Sequence, residues 1–222
     1  MNYLLHIDTS GDKSHFAIGC DGAVVAHRAN DVSREHAATI NVIIEDLLKD
    51  AGITFAQLSG VVVCAGPGSY TGLRIGLASA KGFCYALNIP LLLDNKLTLL
   101  AHQQQVKYED KYAQYITVLT AREKEYFICV YDNAFNCIAP PQHIMEEQLN
   151  ELIEKKENTL LIVNIPENVV NALTIINLQV EDNTEIDLEV WVKYANEQFN
   201  CKNYVNLSEA EPVYLKQVYT HK

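Results

Sequence analysis

The chain has 222 residues, 49% of them apolar, and a formal net charge of −11, so it is long and apolar enough to bury a sizeable core. The acidic balance disfavours direct binding to a phosphate backbone. No apolar stretch approaches the roughly 18 residues of a membrane-spanning helix, and the N-terminus has no basic flank before a long apolar run. We therefore expect a cytoplasmic protein without membrane contact.

Charge and glycine are distributed unevenly along the chain. Residues 106–222 carry 19 acidic and 10 basic side chains, against nine and seven in residues 1–105, and all ten glycines lie between Gly11 and Gly82. This predicts two domains, 1–105 and an acidic 106–222, whose C-terminal tail can pack back on the first domain. Because glycine permits close approach of the backbone, we expect function in the first domain. The six cysteines have no C-x-x-C pair and are expected to be reduced core residues.

The first elements are predicted to be strands, a hairpin and a helix. Residues 3–8 form a short apolar run, and the Asp-Gly pair at 21–22 between two strand-like runs predicts an antiparallel hairpin. The following stretch up to Ala51 has apolar residues at helical spacing, with Ser33 as the N-cap. Residues 60–65 predict a fourth, buried strand.

A glycine-rich loop follows that strand and leads into a helix predicted from 70 or 71 to 87, with a fifth strand at 89–94. This order of elements predicts a mixed sheet with crossover helices. Beyond about residue 105, further strands are predicted at 115–122, 124–132, 136–141, 160–165 and 176–181, and helices at 145–156 and 189–199.

The segment GPGSYTGLRIG at 66–76 is the least generic part of the chain. A glycine-rich turn between a strand and a helix presents backbone N–H groups, which favours binding of a phosphate or carboxylate. The segment has neither the Gly-Lys-Ser/Thr ending of a Walker loop nor the G-x-G-x-x-G spacing of a dinucleotide turn. Anion binding and a purely structural turn both remain open.

The helix that starts in this segment has a stripe of small residues, Gly72, Gly76 and Ser79, beside its apolar face. Small residues allow another helix to approach closely, and each glycine inside a helix costs about 1 kcal/mol relative to alanine. The stripe fits either a partner or the chain's own first helix.

Residues for independent catalysis or metal binding are not evident. Ile40 follows His36 at the position where a helical metal site needs a second histidine. The chain also lacks the H-E-x-x-H and G-x-S-x-G motifs of peptidases. We therefore expect no catalytic residue, no metal and no cofactor.

The segment 66–76, with VVVCA before it and LASAKGFCYALNIPLLL after it, resembles the signature of the bacterial TsaB family, also called YeaZ. The stretches LLHIDTS, REHAATINVIIEDLL, TAREKEYF and EPVYLK match the family's pattern in the same order. The resemblance therefore spans nearly the whole chain. Thr120 departs from it, because the family usually has an aspartate before Ala121 and Arg122.

This resemblance implies an α/β fold of the actin-like ATPase superfamily, which is ribonuclease H-like, with two lobes that contain mixed sheets. It implies a non-catalytic scaffold or activating subunit in the formation of threonylcarbamoyladenosine in tRNA. The implied partners are a TsaD-like catalytic subunit and a TsaE-like ATPase, with tRNA bound only through the complex. Family members pair through their two N-terminal helices, with TsaD or as homodimers when alone.

Carried onto this sequence, that pairing implies an interface formed by His36, Ile40, Tyr70, Thr71, Gly72, Arg74, Ile75, Gly76 and Ser79. Superfamily ATPases have a metal-binding aspartate and a phosphate turn where this chain has Asp8-Thr9-Ser10. Weak candidates for a shared phosphate site are therefore Asp8, Gly66, Gly68 and Ser69.

A working superfamily enzyme also needs glycine-rich nucleotide loops in its second half, and residues 83–222 contain no glycine. Such loops need close backbone approach and positive φ, which glycine supplies. The alternative to a docking subunit is an autonomous nucleotide phosphohydrolase or small-molecule kinase that uses Asp8 and the 66–72 loop.

Overall fold

The computed structural model of the chain describes residues 1–31, 36–153, 158–171, 179–182 and 184–216. Two compact units make up the chain. Unit 1 comprises Met1–Asn95 and Asp187–Val213, and unit 2 comprises Lys96–Ile186 and Tyr214–Lys222. The N-terminal segment of unit 1 therefore ends at Asn95, ten residues before the predicted boundary at residue 105. Unit 1 also includes a second segment, Asp187–Val213, near the C-terminus.

Unit 1 contains a five-stranded mixed sheet with the order β3-β2-β1-β4-β5. Its strands are β1 (Tyr3–Asp8), β2 (Ser14–Cys20), β3 (Ala23–Asn30), β4 (Leu58–Gly66) and β5 (Leu91–Asn95). The first three are antiparallel neighbours, whereas β4 and β5 run parallel to β1. The parallel pairs require crossovers, which the helices α1 (His36–Asp50) and α2 (Tyr70–Leu87) provide. The predicted mixed sheet is confirmed.

Helices cover both faces of this sheet. Leu5 and Ile7 of β1 lie in one core with the apolar residues of α1 and α2, while His6 between them faces Trp191 of α6 (Leu188–Asn200). This is the alternation that a strand imposes on its side chains. A Cβ added at Gly60 would lie 3.1 Å from the Phe199 ring, so α6 packs almost directly on backbone.

Unit 2 contains a second five-stranded sheet, with the order β10-β9-β6-β7-β8. Its strands are β6 (Gln114–Arg122), β7 (Glu125–Asp132), β8 (Cys137–Met145), β9 (Thr159–Asn164) and β10 (Gln179–Glu181). Its helices are α3 (Lys96–Tyr108), α4 (Glu146–Ile153) and α5 (Glu167–Asn171). Three strands are again antiparallel and two are parallel to the first of them. Both units therefore have the same sheet topology, although the sequence shows no internal repeat.

Helices α3 and α5 were not among the predicted elements. The buried apolar residues of α3 are crowded into its first two turns, which gives little helical periodicity. Ser33, the predicted N-cap, and residues 176–178 of a predicted strand lie outside the described residues. Within the part of the chain that the structure describes, no helix is long and apolar enough to cross a membrane.

Candidate functional site

The turn between β4 and α2 packs against the residues that follow β1. The Ser69 N–H donates to the Ser10 carbonyl oxygen at 2.7 Å, and a Cβ added at Gly68 would collide with the same oxygen. The hydroxyl of Thr9 donates to the Gly72 carbonyl oxygen, also at 2.7 Å. The structure thus places Gly68 and Ser69 beside the segment that contains Asp8.

The polar groups of this turn bind one another. The Oγ of Ser69 accepts from the Gly72 N–H at 3.3 Å and so caps α2. An Oδ1 atom of Asp8, a buried residue, accepts from the Ser10 N–H at 2.8 Å. Gly66 is buried against Leu73. The backbone N–H groups of Ser10, Ser69 and Gly72 are therefore already donated within the chain and are not available to a phosphate.

Gly72 and Gly76 are buried against the end of β1. A Cβ at Gly72 would lie well under 3.0 Å from the Thr9 carbonyl oxygen, and a Cβ at Gly76 equally close to the Thr9 hydroxyl. Helix α2 approaches Thr9 this closely because both residues lack a side chain. The small-residue stripe proposed from the sequence therefore contacts the chain's own strand, and these two glycines do not face a partner.

Ile40 is also inaccessible to a partner, because it is 2% exposed and belongs to the core beneath α1. His36 begins α1, but its side chain lies outside the described residues. The other interface residues named from the sequence are half-buried, as Ile75 and Ser79 are, or exposed, as Tyr70, Thr71 and Arg74 are.

The solvent side of α2 has a second stripe of small residues, of which Thr71 alone was among the interface residues predicted from the sequence. Thr71, Ala78 and Gly82 are exposed, and nothing lies within 4 Å of a Cβ added at Gly82. Together with Ile75 and Tyr85, which is 84% exposed, they recur at alternating intervals of four and three residues. Such spacing forms the seam of helices that dock on one another. We call these five residues the α2 seam.

Two further exposed features lie on α2 and on α1. The Arg74 guanidinium carbon lies 4.2 Å from the centre of the Tyr70 ring, so these two exposed side chains contact each other. On α1, Val42 is 60% exposed. Tyrosine and arginine are the residue types that most often dominate binding energy at interfaces.

Unit 2 makes its turns without glycine. Arg122 pairs with Glu125, so the hairpin between β6 and β7 has a two-residue turn, in which Lys124 has φ 58°. In unit 1 the equivalent connection between β1 and β2 spans residues 9–13. Positive φ is therefore adopted in this half without glycine. A phosphate could still not approach the backbone of this turn closely, because both turn residues carry a side chain.

A buried polar cluster lies under α6. The Asp94 carboxylate accepts a hydrogen bond of 2.7 Å from Trp191 Nε1, and burial raises the pKa of Asp94 to about 6. The His6 ring meets the Trp191 ring edge-on with 5.0 Å between centres, and burial lowers the pKa of His6 to about 4. Both side chains are buried beneath α6. Among the described residues, no group of His, Cys, Asp and Glu could hold a metal ion.

Comparison with known proteins connects this geometry to a family. Residues 25–176 match the family model described as TsaD: tRNA N6-adenosine threonylcarbamoyltransferase. The Bacillus subtilis tRNA threonylcarbamoyladenosine biosynthesis protein TsaB is 27% identical over 72% of this chain and 69% of its own length. The Escherichia coli protein of the same name is 28% identical over 61% of this chain and 57% of its own length. The chain belongs to the TsaD family and, within it, to the TsaB (YeaZ) proteins.

Solved structures support the fold of this TsaB-family chain. A Pseudomonas aeruginosa protein described as similar to the peptidase YeaZ has a TM-score of 0.80 at 21% identity, over 97% of this chain and 100% of its own. A Bacteroides thetaiotaomicron protein with an actin-like ATPase fold and unknown function has a TM-score of 0.50 at 11% identity, over 86% and 95%. The α/β actin-like fold implied by the resemblance is confirmed.

Proposed function

We propose that this TsaB-family chain is a non-catalytic scaffold or activating subunit in the formation of threonylcarbamoyladenosine in tRNA. Its proposed partner is a TsaD-like transferase, joined by a TsaE-like ATPase in the cytoplasm, with tRNA bound only through the complex. The α2 seam is the observation that carries this proposal. In the absence of the transferase, the same seam is proposed to bind a second copy of the chain.

The α2 seam suits a partner helix because its members are small where a second helix would come closest. An exposed glycine inside a helix lowers stability by about 1 kcal/mol relative to alanine. No atom of the described chain lies within 4 Å of a Cβ added at Gly82, so no internal contact explains the glycine. A partner helix that packs over Ala78 and Gly82 would offset this loss of stability through close van der Waals contact. Tyr85 and the Tyr70–Arg74 group would then flank it as binding anchors.

A non-catalytic role is supported by the structure of two turns at which a superfamily enzyme would bind its nucleotide. In unit 1, the N–H groups of Ser69, Gly72 and Ser10 are bound within the chain. In unit 2, the equivalent hairpin turn has two residues with side chains. A peptidase activity has no support either, since the chain has neither a zinc-protease motif nor a nucleophile elbow.

The docking surface is tested with Ala78→Glu, which adds a charge to the α2 seam. Calorimetry with the TsaD-like transferase of the same cell should show at least about tenfold weaker binding, because the carboxylate would be buried without a partner. Gly82→Leu should weaken binding by steric exclusion alone. The matched control is Ala134→Glu, the same change at an exposed turn of unit 2. Unchanged affinity of both seam variants would refute this surface.

The pathway is tested in the cell. Depletion of the protein should lower threonylcarbamoyladenosine in tRNA, measured by mass spectrometry of the nucleosides. The unmodified chain and Ala134→Glu should restore it, whereas Ala78→Glu should restore it poorly. A normal content of the modified nucleoside after depletion would remove the proposed function altogether.

The alternative, an autonomous nucleotide phosphohydrolase or kinase, is favoured only by the closeness of the 66–69 turn to the Asp8 segment. It predicts stoichiometric ATP binding with magnesium to the isolated chain, and release of phosphate. We expect neither heat nor turnover. Binding that is lost in Asp8→Asn, which can still accept the Ser10 N–H, would instead establish the alternative.

A further inference from the structure

The segment 205–213, which we call the strap, follows α6 and belongs to unit 1. Near its beginning, the Val205 N–H donates to the Leu91 carbonyl oxygen at the start of β5, at 3.0 Å. At its end, the Val213 N–H donates to the Ala65 carbonyl oxygen near the end of β4, at 2.8 Å. Because α2 connects the end of β4 to the start of β5, the strap runs beside α2 in the opposite direction.

The middle of the strap is attached to α2. Lys81 Nζ donates to the Ala210 carbonyl oxygen at 3.1 Å, and the Ala210 side chain, 7% exposed, lies in the core that α2 covers. The turn that precedes Ala210 is bonded within the strap itself. The Asn206 carbonyl oxygen accepts from the Ala210 N–H at 2.9 Å, and Asn206 Oδ1 accepts from the Ser208 hydroxyl at 2.8 Å.

The strap is weakly buried in comparison with the sheet beside it. Ala210 is its one fully buried residue, and the other eight are half-buried or exposed. In β4, by contrast, Val61 and Val62 are 0% exposed, and the strand is paired on both sides. Segments with few buried side chains and exposed hydrogen bonds open at a lower free energy than the core. Opening the strap would leave the pairing of β4 with β1 and β5 intact.

Lys81 lies between the core side of α2 and the α2 seam. On a helix, residues three and four apart are neighbours. The neighbours of Lys81 toward the core are Leu77 and Cys84, which are both buried, and its neighbours on the other side are Ala78 and Tyr85 of the α2 seam. The hydrogen bond that holds the strap therefore borders the proposed docking surface.

We propose that the strap opens and closes as one unit while the sheet of unit 1 stays folded, and that Lys81 is the positioning residue that keeps it closed. A partner helix on the α2 seam would exclude water from the bond between Lys81 and Ala210 and so keep the strap closed. The opening is a property of this chain alone. The effect of the partner rests on the proposed function.

Native-state hydrogen exchange of the full chain, followed by NMR at low urea concentrations, measures the opening. The amides of Val205 and Val213 should exchange at least about tenfold faster than the amide of Val62 in β4. Their rates should depend only weakly on urea, because opening the strap exposes little surface. If these amides exchanged only with the unfolding of β4, at the same rate and with the same dependence on urea, the strap would not be a separate unit.

The role of Lys81 is tested with Lys81→Met, which keeps the apolar stem and removes the donor. Exchange at Val205 and Val213 should become about tenfold faster, while exchange at Val62 stays unchanged. Lys81→Arg should retain most of the protection, since a guanidinium can donate to the same carbonyl oxygen. The control is Lys193→Met at an exposed position of α6. An unchanged rate in Lys81→Met, or equally faster exchange at Val62, would overturn the role of Lys81.

The effect of the partner is measured by adding a saturating concentration of the TsaD-like transferase. Exchange at Val205 and Val213 should then slow at least about tenfold in the unmodified chain. In Lys81→Met the transferase should slow it less, because the bond that the partner shields is missing. Unchanged exchange in the bound chain would overturn the coupling. Absence of transferase binding would overturn the coupling and the proposed function together, but not the opening of the strap, which the free chain tests.

Discussion

The carbonyl oxygen of Thr9 fills the space that a side chain at Gly72 would need. A Cβ added there would lie well under 3.0 Å from this oxygen, closer than real contacts allow. We expect Gly72→Ala to lower the free energy of unfolding by roughly 3 kcal/mol, because strand or helix must move to relieve the overlap. Urea unfolding followed by circular dichroism measures it.

Gly82 provides the matched control for that experiment, since it lies in the same helix and is open to solvent. Gly82→Ala should raise the free energy of unfolding by about 1 kcal/mol through helix propensity alone. Equal effects of the two substitutions would contradict the backbone contact between α2 and β1.

The elements of unit 1 could be predicted from sequence because each has a local signal. Strand β1 is a continuous apolar run, and Asp21-Gly22 marks the hairpin that follows β2. The equivalence of the two sheets could not be predicted, since their strands share a topology without sharing residues. It depends on which strands pair, and pairing is decided by tertiary packing.

Which side of α2 is buried against the chain itself could not be predicted from the sequence for a similar reason. The pattern shows that Gly72 and Gly76 flank the apolar face, but not that this flank turns toward Thr9. The α2 seam had a readable signal, the alternating spacing from Thr71 to Tyr85. Thr71 and Ile75 were among the interface residues predicted from the sequence, whereas Ala78 and Gly82 were not, because alanine and glycine carry little apolar weight.

The buried His6 predicts a loss of stability in acid. Its folded pKa of about 4 lies below its ordinary value of 6.5, so its contribution is complete above pH 6.5 and disappears as the pH falls through 4. The loss is roughly 3 kcal/mol. In His6→Gln, the pH dependence of the unfolding free energy between 7 and 4 should be flatter by this amount. Parallel curves for the two proteins would show that His6 does not titrate as described.

Asp94 predicts the opposite dependence. Its folded pKa of about 6 lies above the ordinary 3.8, so its contribution is complete below pH 3.8 and is lost as the pH rises through 6. Asp94→Asn can still accept from Trp191 Nε1 but carries no charge. We expect this variant to be more stable than the unmodified chain at pH 7, by up to roughly 3 kcal/mol, and equal to it near pH 4. If the variant were less stable than the unmodified chain at pH 7, the buried Asp94 charge would not be destabilising.

The end of the described chain is held to unit 2 by an ion pair at Glu125. This carboxylate accepts from Lys216 Nζ and, at 2.8 Å, from His143 Nε2, and these bonds lower the pKa of Glu125. The attachment should therefore persist above the ordinary glutamate pKa of 4.5 and weaken as the pH falls through the lowered folded value.

Hydrogen exchange at neutral pH measures that attachment directly. Lys216→Met should speed exchange of the backbone amides at 214–216, because the tail loses its ion pair with Glu125 while keeping the packing of Leu215. High salt should speed exchange in the unmodified chain and leave the variant unaffected, since salt screens a partly exposed ion pair. The control is Lys193→Met, at an exposed position of α6. It should not change exchange of the amides at 214–216 at low or at high salt. Equal exchange in Lys216→Met and the unmodified chain would mean that the ion pair with Glu125 does not hold the tail.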